Sequence, residues 1–193
     1  MTLRPHERPI PGAASVFGDR IAAMLPRIET ARLVLRAPRI EDYPVYLEIV
    51  EEPGGHFLLD GGTREDIWLD FAQMVATWLL RGHGLFAVDH RDAGDLIGFV
   101  LIGFEPGDHE PELGYLFRAS ARGQGYATEA AEAALAHAFG PLDLPSLVST
   151  IDHDNIRSSG VSERLGARRD PAAEAAHGHS ILVFRHTRPE TLA

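Results

Sequence analysis

The sequence predicts a mixed α+β fold, a mixed sheet with helices on its faces. Two observations carry this. In the first half, apolar residues cluster over short stretches at 32–36, 85–89 and 96–104, and Arg91, Asp92, Ala93 and Gly94 supply hairpin-turn chemistry between the last two. From residue 112 onward the pattern becomes strand–helix–strand–helix–strand, which places helices on the faces of a sheet. Neither an internal repeat nor a low-complexity tract interrupts this order.

The elements follow in turn. Residues 1–26 hold Pro5, Pro9, Pro11 and Pro26 with little periodicity, and read as an extended N-terminal arm with a short helical turn near 21–25. A first strand falls at 32–36. Residues 39–51 read as a short helix, since Tyr43, Tyr46, Leu47 and Val50 have helical spacing, and Pro53, Gly54 and Gly55 stop it. Thr63 is an N-cap with Asp66 three residues on. Ile67, Phe71, Met74, Val75, Trp78 and Leu79 then form the apolar stripe of a longer helix that Gly82 ends, with Trp78 read as core. A strand at 112–117 follows the loop 105–111. The helix at 126–139 turns Ala127, Ala130, Ala131, Ala134, Ala138 and Phe139 inward, and these small residues let it lie close to the sheet. Residues 147–151 read as a strand, 155–165 as a helix and 181–185 as the last strand.

Composition narrows the function. The 193 residues suffice for one domain at 27–193 behind the arm. A net charge of −10 discourages binding to nucleic acid. It suits an amine-bearing substrate, and equally it suits plain solubility. With no cysteine, disulfides, thiolate metal sites and an acyl-cysteine intermediate are excluded. No run reaches the roughly 18 apolar residues of a membrane span, and the N-terminal stretch lacks an apolar signal core. The expectation is a cytoplasmic protein with no membrane partner.

One stretch carries chemistry. A strand ending at Phe117 and Arg118 runs through a short loop into Arg122, Gly123, Gln124, Gly125, Tyr126, Ala127 and Thr128, where a helix begins. The free N–H groups and positive dipole end of a helix start attract anions. Gly123 and Gly125 let the backbone approach phosphate oxygens because no Cβ intervenes, and Thr128 adds a hydroxyl. The same glycines also serve a plain tight turn. Thr128 stands where the dinucleotide fingerprint requires a third glycine, and no Walker Gly-Lys-Ser/Thr occurs in the chain.

The run from Arg122 to Ala127 resembles the Arg/Gln-x-x-Gly-x-Gly/Ala signature of the GNAT acetyltransferases. The longer pattern from Glu112 to Glu129 is similar to that of their RimJ/RimL-like branch. The segment from Asp154 to Ala167, with Asn155 and Ser158 followed by Arg164, Leu165 and Gly166, resembles the same branch, as does the opening strand at 29–36. The resemblance implies a GNAT fold, a central, mostly antiparallel twisted sheet of about seven strands that opens in a V and is flanked by about four helices, and acetyl-CoA as cosubstrate. The pantetheine arm would pair with the backbone of Leu116, Phe117 and Arg118. The pyrophosphate would meet amides from Gly123 through Thr128, with Arg122 at the mouth of the turn. Asn155 would bond the pantetheine chain, and Ser158 would lie near the sulfur. Helix capping is an alternative role for Asn155 and Ser158.

The implied activity is N-acetylation by direct attack of a primary amine, on a small molecule or a protein N-terminus. A backbone N–H near Leu116 would support the developing oxyanion. Glu112, on one strand face with Gly114 and Leu116, is the preferred base, with an ion-paired or substrate-anchoring role as the alternative. The family's tyrosine acid has no counterpart in 166–176, which leaves Ser158, or departure of the thiolate without an acid. The absent tyrosine keeps a second reading open, a non-catalytic CoA-binding sensor or assembly module. The resemblance also carries the expectation of a homodimer. His177 and His179 lack a nearby carboxylate pattern, so no metal site is expected. His109 and His153 stand near strand ends, and Arg168 and Arg169 read as a solvated charge pair.

Overall fold

The computed structural model of the chain describes residues 2–57, 62–178 and 180–189. Its helices are α1 (Ala13–Ala22), α2 (Tyr43–Glu51), α3 (Arg64–Arg81), α4 (Tyr126–Phe139), α5 (Ile156–Arg164) and α6 (Pro171–Ala176). Its strands are β1 (Ile28–Glu29), β2 (Leu33–Arg36), β3 (Leu85–His90), β4 (Leu96–Gly103), β5 (Glu112–Phe117), β6 (Ser146–Asp152), β7 (Arg168–Arg169) and β8 (Ile181–Thr187).

All eight strands join one sheet in the order β1-β2-β3-β4-β5-β6-β8-β7. Every pairing is antiparallel except β5 with β6. The predicted fold class therefore holds, with the additions at its margins. β1 and β7 are two-residue strands, too short to show an alternation. α6 is six residues long, begun by Pro171 behind the cap Asp170, whose carboxylate accepts the Ala173 N–H at 3.1 Å.

Two apolar clusters cover the two faces of the sheet. One joins α4 to Leu33, Leu35, Phe86, Val88, Val100, Ile102, Leu113 and Phe117. Ala130, Ala131, Ala134 and Ala138 are fully buried there, as their small volume allows. The other joins α2 and α3 to Leu85, Ala87, Phe99, Leu101 and Leu116. Alternation along β5 thus sends Leu113 and Phe117 toward α4, and Leu116 toward α2 and α3.

Helix α3 shows how sequence sets a boundary. The Thr63 N–H donates to Asp66 at 2.8 Å, and the Asp66 N–H returns to Thr63 Oγ1 at 3.3 Å, closing a capping box. Gly82, at φ +76°, ends the helix in the left-handed conformation. Trp78 is buried as predicted, its indole N–H on the Leu85 carbonyl at 2.8 Å. Leu79 departs from the prediction and is 75% exposed. Twelve residues beyond Ile67, at 3.6 residues per turn, it has rotated roughly 120° away from the stripe.

The arm is not extended. Pro5–Glu7 forms a 3-10 turn and α1 follows it. Glu7, 1% exposed, accepts two N–H bonds from Arg64 at 2.7 and 2.6 Å and one from the Arg4 backbone at 2.7 Å. His6 meets Trp68 edge-on at 5.2 Å. These anchors are single residues without periodicity, which is why the sequence read as a tail. Arg168 and Arg169 are both exposed, as a solvated pair would be, but Arg169 also holds the buried Glu174 at 2.6 Å.

Candidate active site

The sheet opens where its one parallel pair begins. β5 and β6 share a single register pair, Glu112 with Val148. On β5 the carbonyls of Pro111 and Leu113 turn toward β6, where they accept the Val148 N–H at 3.0 Å and the Ser149 hydroxyl at 2.8 Å. The Arg118 N–H turns the opposite way, to the Ile97 carbonyl on β4. Backbone groups alternate sides along a strand. Leu113, Tyr115 and Phe117 therefore face the opening, while Glu112, Gly114 and Leu116 pair with β4. Beyond Leu113 the Tyr115 main chain and the Phe117 N–H have no sheet partner. The Leu116 N–H, expected to face the thioester, is turned toward β4.

A cavity of about 240 Å³ occupies this opening, and Glu112, Gly114, Tyr115, Leu116, Asn155 and Ser158 line it. Residues from β5 and from the start of α5 thus meet in one place. Asn155 caps α5, its Oδ1 accepting the Ser158 N–H at 3.3 Å. Its Nδ2 has no partner among the described residues, so capping leaves the amide donor available. The Tyr115 phenol donates to the Ser158 carbonyl at 2.9 Å and ties β5 to α5. Burial pushes its pKa up, so it stays protonated. Tyr115 was not among the tyrosines expected from the sequence, which concerned 166–176; the alternation of β5 was the signal for it.

Burial pushes the Glu112 carboxyl up to about 7, with Asp108 and Glu105 adding repulsion and hydrogen bonds from Thr150 working against it. Glu105 is raised to about 7 by burial and by the charges of Asp70 and Asp108. The folded state then holds a proton on Glu105 that the unfolded chain releases near pH 4.5. Stability therefore falls as pH climbs from about 4.5 through about 7. Glu105→Gln is expected to stabilise the fold at pH 8 by roughly 1 kcal/mol after solvent screening, or about 2–4 °C in Tm, with little effect near pH 4. Thermal melts at the two pH values test this, and equal shifts at both overturn it.

The turn before α4 lies at the wide end of the opening. Gly123 and Gly125 adopt φ of +76° and +82°. Among the described residues, nothing accepts the N–H groups from Gly123 through Thr128, and the first helical bond is made by Glu129 to Gly125 at 3.1 Å. Six successive donors are thus presented at a helix start. Arg32 anchors the turn, donating to the Gln124 carbonyl at 2.9 Å and to Glu129 at 2.6 Å, with its guanidinium 4.6 Å from the Tyr126 ring centre.

Arg122 is engaged elsewhere, with Nε on the Phe117 carbonyl at 3.0 Å and Nη2 on Glu52 at 2.7 Å. Arg118 is held by Glu48 at 2.9 Å, and the Gln124 amide donates to the Ser120 carbonyl at 3.0 Å. Both arginines brace the turn from α2. Arg164, to which sequence reasoning gave no role, donates to Thr128 Oγ1 at 3.3 Å and carries no ion pair among the described residues.

A profile of the acetyltransferase (GNAT) domain matches residues 32–168, the span that holds both the opening and the turn. The chain belongs to the GNAT acetyltransferase family. This GNAT chain is similar to an acetyltransferase from Agrobacterium tumefaciens str. C58, at 33% identity over 84% of this chain and 94% of that one, with a TM-score of 0.78. It shares its fold with RimL, a ribosomal L7/L12 alpha-N-protein acetyltransferase solved with coenzyme A, at 18% identity, 84% and 98% coverage and a TM-score of 0.65. It is 35% identical over 85 residues to the uncharacterized N-acetyltransferase YnaD of Bacillus subtilis strain 168, which is 44% of this chain and 50% of YnaD. The chain therefore spans about half the length of that curated relative. GNAT acetyltransferases use acetyl-CoA.

The remaining residues singled out from the sequence lie outside this constellation. His109 and His177 face each other at 5.5 Å in a neighbouring cavity, His153 is exposed after β6, and His179 falls outside the described residues. Among the described residues no cluster of His, Asp and Glu is suited to a metal ion, and no helix is long and apolar enough to cross a membrane.

Proposed function

We propose that this protein is an acetyl-CoA-dependent N-acetyltransferase of the RimJ/RimL-like branch, in which a primary amine attacks the acetyl donor directly. The acceptor is a small molecule or a protein N-terminus, and the step needs no metal. The observation that carries the reading is the cavity gathering Glu112, Asn155 and Ser158 where β5 and β6 part.

The residues present suit the cosubstrate. The six unbonded amides from Gly123 through Thr128, with Arg164 beside them, would hold the pyrophosphate. The Asn155 Nδ2 and the open main chain of Tyr115 would hold the pantetheine arm. Bound acetyl-CoA supplies an acetyl group activated as a thioester. The N–H of Tyr115 or Phe117, in place of that of Leu116, then donates to the acetyl oxygen. Glu112 takes the proton the amine releases, directly or through one water, and its raised pKa suits that task near neutrality. As the N–C bond forms and the C–S bond breaks, the Ser158 hydroxyl would donate a hydrogen bond to the departing sulfur, which leaves as the thiolate and takes its proton from solvent, while the proton gathered by Glu112 returns to solvent. A cytoplasmic location and the homodimer expected by resemblance belong to the same proposal.

Turnover tests it. Incubation with acetyl-CoA and a panel of polyamines, amino acids, aminoglycosides and peptides is expected to release free CoA thiol with at least one amine class. Silence across the panel, with CoA binding retained by calorimetry, overturns the enzyme in favour of a CoA-binding module.

A further inference from the structure

The cavity at Glu112 holds more acid than the reaction uses. Asp70 reaches it from α3, Glu105 and Asp108 from the loop between β4 and β5, and Asp152 from the end of β6. Among the described residues, no Lys, Arg or His lines it. Asp70 accepts the Tyr46 hydroxyl at 2.5 Å, and Asp108 accepts the Glu105 N–H at 2.5 Å. The Glu105 carboxylate accepts no hydrogen bond among the described residues. It is half-buried, with two like charges acting on it and no cation in the lining. Such an arrangement costs stability in the empty protein, and a cationic ligand would offset that cost.

Shape points the same way. A second cavity, of about 310 Å³, shares Asp108, Glu112 and Thr150 with the first and extends toward β8 and α6. Among the described residues its basic lining consists of Arg185, already bridged by Glu110 and Asp170, and the imidazoles of His109 and His177. Glu112 lines both cavities, so a linear ligand with one end at Glu112 has space on either side of it. No cluster of His, Asp and Glu among the described residues is arranged to hold a metal ion, which leaves an organic cation as the counter-charge. Of the lining hydroxyls, Tyr46 is engaged on Asp70 and Ser149 on the Leu113 carbonyl, while Ser158 and the Asn155 amide stand on the side that takes the donor. Ammonium groups would find acceptors here, whereas the carbonyl oxygens of a peptide would find few donors.

We propose that the acceptor is a linear aliphatic diamine or polyamine, its reacting amine at Glu112 and a second ammonium group held among Asp70, Glu105 and Asp108. This rests on the reading of the Glu112 cavity as the acceptor site. It narrows the acceptor to a small molecule, chosen by the charge it carries away from the reacting nitrogen.

Calorimetry on the full chain saturated with CoA tests the inference without requiring turnover. At pH 8, putrescine and spermidine are expected to bind at least tenfold more tightly than butylamine, which has one amine. The Glu105→Gln, Asp108→Asn double variant is expected to lose that preference and keep its affinity for CoA. Equal binding of diamine and monoamine overturns the inference, as does a preference that survives in the double variant. Tighter binding of an alanine-initiated tetrapeptide than of spermidine overturns it too, in favour of a protein N-terminus. Turnover separates this inference from the reading beneath it. Equal acetylation of butylamine and spermidine removes the diamine and leaves the acetyltransferase. Selective binding of spermidine with no acetylation of any amine leaves the cation site and removes the enzyme.

Discussion

Gly125→Glu is expected to reduce acetyl-CoA affinity at least a hundredfold, to the point of no measurable heat in a calorimetric titration. Three effects act together. The carboxylate would stand among six amides that carry no other partner and would occupy their anion seat. A Cβ at Gly125 would lie 3.4 Å from Arg32 Nη2, an ordinary contact, but the glutamate carboxylate beyond it would compete for the guanidinium that holds the turn through the Gln124 carbonyl. At φ +82° a side chain costs about 1–2 kcal/mol of backbone strain, a few degrees in Tm. Gly125→Asn separates strain from charge, because Asn tolerates the left-handed conformation and brings no negative charge. It is expected to keep the fold and most of the affinity. Unchanged CoA binding in Gly125→Glu removes the turn from the cofactor site.

Legibility in the sequence followed the range of the interactions concerned. The cap at Thr63 and Asp66, the strand from Glu112 to Phe117 and the cap at Asn155 were readable because each spans only a few residues. The glycines before α4 were readable for the same reason. Arg122 stood in the expected place, yet the destination of its guanidinium was set by Glu52, seventy positions away. Which β5 amides face the opening depended on where β6 leaves the sheet, which no local pattern encodes. The acidic lining was hidden in the same way, because Asp70, Glu105 and Asp108 belong to a helix and a loop that only the fold brings together. In the arm, Glu7 looked like a tail residue until Arg64 buried it.

Glu112→Gln is expected to lower kcat by about 10²–10³, the range typical of a lost general base. The pH profile makes this a test of role and not only of damage. Glu112 must be ionised to accept a proton, and its pKa is pushed up to about 7, chiefly by burial. Wild-type kcat should therefore rise as pH climbs through about 7 and level off above it. The glutamine variant has no such group, so its lower kcat should be flat across that interval. Asp108 and Glu105 both push the Glu112 pKa upward. Removing one of those charges in Glu105→Gln should move the acidic limb to lower pH while keeping a substantial kcat. A carboxylate that only anchored substrate would instead raise KM, leave kcat near its original value and keep the limb in the variant. Wild-type kcat with the limb retained in Glu112→Gln excludes it as the base. A flat, slow variant together with a shifted limb in Glu105→Gln ties the acidic lining to both steps, holding the cationic acceptor and setting the pH at which Glu112 can deprotonate it.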